Sequence, residues 1–174
     1  MPRPARPTLA AGVLAATFAT TTLVAVAALG AAPATATPPV GPPSSSPSPV
    51  PEATSAEKLV AHADGVHLKI PKDGVVRDFT LTYRPGSSSG WHEHPGLVLA
   101  TVVSGTVSRT TPCRAPEEFT AGQVFVEVGP HLVQNRGTQD AVLSITQIAP
   151  AGTTGAAFRE DLPAPVCRPH HPQR

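Results

Sequence analysis

Three histidines of this chain are spaced for shared chemistry. His92 and His94 stand in Gly90-Trp91-His92-Glu93-His94-Pro95-Gly96, and His131 opens His131-Leu132-Val133-Gln134-Asn135. Side chains of an extended strand alternate faces, so His92 and His94 point one way and Glu93 the other. His131 arrives on a separate apolar segment, and three neutral imidazoles meeting in a β framework make a site for a transition metal. Glu127, in Val124-Phe125-Val126-Glu127-Val128, adds a carboxylate to the site if its turn rotates it inward; a surface position is the expectation for it. Glu93 is expected in solvent and Asn135 on turn backbone. Trp91 either lines the mouth of the site or covers the exterior. His62, His67 and the His170-His171 pair are expected to lie apart from the site.

The elements that must position these residues read as strands. Apolar stretches at 66–70, 75–84, 97–103, 106–110, 123–128, 132–135 and 141–148 alternate with turn clusters such as Pro71-Lys72-Asp73-Gly74, Arg84-Pro85-Gly86, Ser104-Gly105 and Ala121-Gly122. Phe79, Leu81 and Tyr83 alternate with Thr80, Thr82 and Arg84, which gives that strand one core face and one wetter face. The stretch 97–103 is apolar almost throughout and is expected to be well buried. Only 52–63 has a helical look, as a short turn of helix before the β domain. The fold class is therefore all-β, a sandwich or barrel for which a jelly roll is the natural small form.

These segments resemble the cupin superfamily of small β-barrels. Gly86, five residues, His92-Glu93-His94 and then Gly105 follow the frame of its first motif; Gly122, then His131 with three residues before Asn135, follow its second. The resemblance covers 66–150. Where the first motif carries a glutamate this chain has Val98, or Leu99 on the longer spacing, and Val128-Gly129-Pro130 is about two residues shorter than the second pattern. The resemblance implies a cupin-type jelly-roll barrel in which His92, His94 and His131 ligate a divalent transition metal: Fe, Cu, Ni, Mn or Zn. Losing the glutamate raises the net charge of such a site by one and weakens it for hard cations. A small-molecule oxidoreductase or dioxygenase follows if coordination positions stay open. The alternative is a non-catalytic small-ligand-binding or structural module without metal, and pairing through edge strands into a homodimer is also implied.

Residues 1–36 read as a signal peptide. Arg3 and Arg6 precede an uncharged run from Leu9 to Ala32, and Ala34-Thr35-Ala36 offers a cleavage site. The competing reading is an uncleaved membrane anchor, since the run is long enough to span a bilayer. Residues 37–51, TPPVGPPSSSPSPVP, form a Pro/Ser-rich linker expected to act as an extended spacer. An N-terminal extension (52–65), the barrel (66–150) and a C-terminal tail (151–174) complete the single domain. Without Arg3 and Arg6 the exported part holds eleven basic and twelve acidic side chains. That near balance, with no basic stripe, gives no support for a nucleic-acid partner; a small molecule is the expected one, with no membrane contact after cleavage. Cys113 and Cys167 both lie in the exported part, where a disulfide tying down the tail is expected; metal ligation or a reactive thiol is the alternative.

Overall fold

The computed structural model describes residues 34–167. The run from Leu9 to Ala32 and the His170-His171 pair lie outside the described residues. Among the described residues no helix is long and apolar enough to cross a membrane. The strands are β1 (Ser44–Ser46), β2 (Ala53–Thr54), β3 (Leu59–Ala63), β4 (Val66–Ile70), β5 (Val75–Tyr83), β6 (His92–Glu93), β7 (Leu97–Ser104), β8 (Thr106–Thr110), β9 (Glu117–Thr120), β10 (Val124–Glu127), β11 (Leu132–Gln134), β12 (Ala141–Ala149) and β13 (Glu160–Asp161), with one short 3-10 turn at Gly155–Phe158.

The all-β expectation holds. The main sheet runs β1-β5-β12-β7-β10, with β2 beside β1 on the same edge of β5, and a three-stranded sheet runs β11-β8-β9. Two small ladders, β13-β6 and β3-β4, complete the set. All pairings are antiparallel. Between the two larger sheets lies a core of Tyr83, Val98, Ala100, Val102, Leu143 and Ile145 from one and Val107 and Val133 from the other. Each such apolar side chain contributes about 1.5–3 kcal/mol on burial, so period-two alternation on these strands is what the fold rests on. β12 shows it plainly, with Ala141, Leu143, Ile145, Gln147 and Ala149 buried and the residues between them less so.

Four expectations need correction. The stretch 97–103 is not buried throughout, because only the face carrying Val98, Ala100 and Val102 meets the core; Val103 is 58% exposed. The helical turn expected in 52–63 is absent. Leu59–Ala63 is instead one arm of a β3-β4 hairpin closed by Asp64-Gly65, whose φ angles of 48° and 83° are those of a two-residue hairpin turn. That hairpin makes its ladder apart from the main sheet, so β4, expected as the first barrel strand, pairs with β3 alone. The segment 37–51, finally, is docked rather than free. Val40 exchanges backbone hydrogen bonds with Ser88 (3.2 and 2.8 Å), and Ser44–Ser46 pairs with Thr80–Thr82 on the outer edge of β5. Backbone groups alone make that ladder, so a segment with little apolar bulk can still be held where a neighbouring edge is open.

Gly105 lets the chain pass from β7 to β8. Its φ is +74°, and a Cβ there would stand 2.6 Å from the Asp140 carbonyl oxygen and 2.7 Å from Ala141 Cα, so only glycine fits.

Candidate metal centre

His92 lies on β6, and its backbone exchanges N–H···O bonds of 3.0 and 2.9 Å with His131, which precedes β11. This bridge sets the two imidazoles side by side, with ring centroids 4.2 Å apart. Strand parity puts His94 on the same side as His92, at 4.8 Å between centroids. The three histidines expected to share a site are thus brought together. Glu127 joins them, contrary to the surface position expected of it: it is only 7% exposed, and its Oε2 stands 3.5 Å from His94 Nε2 and 3.4 Å from His131 Nε2. The cause is parity on β10, where Phe125 and Glu127 face in and Val124 and Val126 face out. In the ladder Glu127 is the direct partner of Val98 on β7. Cross-strand partners share a face, so a carboxylate at 127 enters the space that a side chain at 98 would otherwise serve.

Each imidazole is held by a backbone carbonyl. His92 Nδ1 bonds Gly90 O (2.9 Å), His94 Nδ1 bonds Phe158 O (2.8 Å) and His131 Nδ1 bonds Gly129 O (2.8 Å). A carbonyl only accepts, so each Nδ1 carries the hydrogen and each neutral ring is left with its lone pair on Nε2. One ligand atom from each of His92, His94, Glu127 and His131 lies within 4.8 Å of the others. His131 Nε2 is buried without a hydrogen-bond partner. Convergent lone pairs and a carboxylate, with no donor among them, repel one another unless a cation sits between, and carbonyl-anchored Nδ1 atoms are the usual support for metal-bound histidines. The residues therefore fit a transition-metal ion, with three nitrogens and one oxygen as donors.

Protonation is a poor substitute for that cation. Burial above all, then the neighbouring His131, pushes the His92 pKa down to about 2, and burial likewise lowers that of His94 against the opposing hydrogen bond to Phe158. Between pH 6.5 and that low value the unfolded chain takes up a proton that folded His92 refuses, so stability present above pH 6.5 is lost as pH falls. Metal-free protein should be less stable to urea at pH 5.5 than at pH 7.5, by about 1 kcal/mol from His92 alone. Equal midpoints at the two pH values would contradict this placement of the imidazoles.

A cavity of about 310 Å³ adjoins the histidines. Tyr83, Ser89, Gln147 and Arg159 supply its polar wall, and Phe79, Leu81, Val98 and Ile145 its apolar floor. Pro39, Pro42, Pro43 and Val50, from the segment expected to be a spacer, also line it. Burial first, and then the Glu127 carboxylate, raise the Tyr83 pKa, so its phenol stays a neutral O–H. Phe158 O accepts from both His94 Nδ1 and Gln147 Nε2 (3.0 Å), which ties the C-terminal segment to the site.

Other residues fall as follows. Asn135 Nδ2 donates to Tyr83 O and Gln139 O and its Oδ1 accepts from Gly137 N, the turn role expected of it. Glu93 is half-buried, outside the cluster. Trp91 is buried and its carbonyl accepts from Leu162 N. His62 and His67 face each other on the exposed β3-β4 hairpin. Cys113 and Cys167 lie at disulfide distance, with Cα atoms 5.4 Å apart, which fits an extracellular protein.

Fold and site together define an all-β domain with a buried cluster of three histidines and one carboxylate, able to hold a metal ion beside a small cavity. No family model and no curated protein matches the chain. Solved structures of cupin and double-stranded β-helix domains do align with it. An uncharacterized conserved protein with a double-stranded β-helix domain from Klebsiella pneumoniae is 21% identical, over 63% of this chain and 87% of that one, with a TM-score of 0.41. A Cupin 2 conserved barrel domain protein from Salinispora arenicola is 18% identical over 59% and 76%, at 0.39. An oxalate oxidase in complex with the substrate analogue glycolate is 21% identical over 41% and 40%, at 0.37; this chain spans less than half of that one.

Proposed function

We propose that this is a secreted metalloprotein of cupin type that acts on a small molecule as an oxidoreductase, with His92, His94, His131 and Glu127 as the ligands of one divalent transition metal. The observation that supports it is the convergence of three Nε2 lone pairs on the Glu127 carboxylate, the single N–H of each ring being committed at Nδ1 to a backbone carbonyl. Such an ion would supply Lewis acidity and redox chemistry at positions its four protein ligands leave open.

The chain's own residues do the rest. The carbonyls of Gly90, Gly129 and Phe158 fix the tautomers; the apolar floor excludes water; Tyr83 keeps a phenolic proton near the carboxylate. Glu127 restores the oxygen donor that Val98 lacks, so Mn and Fe are as well suited as Cu, Ni or Zn. A cavity beside the cluster favours chemistry on a bound molecule over a closed structural ion.

The test is metal content by elemental mass spectrometry on untagged protein from the secreted fraction, beside the combined His92→Ala, His94→Ala, His131→Ala variant. Near-stoichiometric metal, lost in the variant, is expected, together with dioxygen uptake by the loaded protein in a screen of small organic substrates. No metal in either sample after reconstitution overturns the reading.

A further inference from the structure

One inward-facing side chain has no part in the cluster. On β5 Val75, Arg77, Phe79, Leu81 and Tyr83 share a parity, and Arg77 is the only cation on that face. Its guanidinium stacks on the Phe158 ring, with Cζ 3.9 Å from the centroid, and lies 5.3 Å from that of Phe79. Nε is buried without a hydrogen-bond partner, and among the described residues Arg77 makes no ion pair. Burial lowers its pKa, with Glu52 opposing from a distance. Nη1 and Nη2 are neither buried nor, among the described residues, hydrogen-bonded, so the guanidinium fork is free to meet an anion in the cavity.

Its position gives that anion a direction. The sheet register sets Arg77 opposite Gln147, Gln147 opposite Val98 and Val98 opposite Glu127, a single row across β5, β12, β7 and β10. At roughly 4.8 Å per strand the row spans about 14 Å between its end Cα atoms. The metal-ligating carboxylate closes one end and the guanidinium the other, with the cavity between them. Arg159, the other cavity arginine, is already committed to Asp161 and Ser89 O.

Building on the metal-site reading above, we propose that the substrate is a small organic carboxylate whose anionic end is bound by Arg77 and whose apolar body lies over Phe79, Leu81 and Ile145, with its far end directed at the histidines. The Phe158 ring holds the planar guanidinium flat against the wall, its fork left for a carboxylate. A volume of about 310 Å³ admits a single ring or a short branched chain, at the small end of ligand sites.

The test uses calorimetric titration with benzoate, phenylacetate and 3-phenylpropionate, each beside its amide, on chelator-treated and metal-loaded protein. At least one carboxylate is expected to bind the metal-free protein at least tenfold more tightly than its amide. Arg77→Gln should lose that tenfold preference, and Arg77→Lys should keep part of it, both with unchanged metal content. Amides binding as well as acids, an unaltered preference in Arg77→Gln, or no binding by any of the three acids overturns the proposal. Acid-over-amide selectivity in protein that takes up no metal would sink the metal reading and leave the Arg77 subsite standing; metal uptake without that selectivity would do the reverse. The acid-to-amide comparison on unaltered protein decides the matter even if both variants misfold.

Discussion

Glu127→Gln is expected to keep the β-rich fold and to lose divalent metal affinity about 100-fold or more. Changing one supporting group around a metal site already costs up to about 100-fold, and Glu127 is placed to touch the ion itself. The exchange keeps shape and removes only the charge and one acceptor oxygen. Its effect on metal-free protein should have the opposite sign. A glutamine amide can donate to the Nε2 lone pairs of His94 and His131, 3.5 and 3.4 Å from the present carboxylate oxygen, so a repulsive contact becomes a hydrogen bond. Chelator-treated Glu127→Gln should therefore unfold at a urea concentration equal to or above that of the unaltered protein. Competition titration with a chromogenic chelator measures the affinity; an unchanged value would remove Glu127 from the ligand set. A purely structural carboxylate would instead show lower stability in the variant and no change in affinity.

The second large effect concerns Cys113 and Cys167, which are 54 residues apart in sequence. Closing a loop of that length restricts the unfolded chain by about 4 kcal/mol in the chain-entropy estimate. Replacing both by serine should lower the urea stability by about that amount, against a typical total of about 5–15 kcal/mol for a domain. The closed loop holds Glu127, His131 and Phe158, whose carbonyl anchors His94, so the same variant should bind metal more weakly. Reductant should reproduce both effects in the unaltered protein. Thiol counting under denaturing, non-reducing conditions should find none free, and two free thiols would refute the bridge.

What the sequence disclosed and what it withheld divide along one physical line. Period-two alternation, turn residues and local spacing were legible: they placed the strands, joined His92 to His94 by parity and assigned Asn135 to its turn. Features that depend on which strand lies beside which were not. Glu127 shares the parity of Phe125, a signal present in Val124-Phe125-Val126-Glu127, yet only the register with Val98 shows that inward means towards the histidines. Arg77 likewise shares the parity of Phe79 and Leu81, and its row through Gln147 to Glu127 exists only across the sheet. The Phe158 carbonyl carries no side-chain signature at all. In 52–63, an apparent helix gave way to a hairpin because Asp64-Gly65 closes a turn more specific than the weak helical preference beside it. The docking of 37–51 was hidden for a different reason: composition reports the side-chain burial a segment lacks, whereas an open strand edge needs only backbone.

That docked segment bears on where the protein is cut for study. A chain begun at residue 52, as the look of a dispensable spacer invites, would lose Pro39, Pro42, Pro43 and Val50 from the cavity and admit bulk water to it. It would also bare the N–H and C=O groups of Thr80–Thr82, an invitation to strand addition by another molecule. Dimers or aggregates of such a truncated chain would be products of the scissors, and weak ligand binding by it would describe a broken vessel.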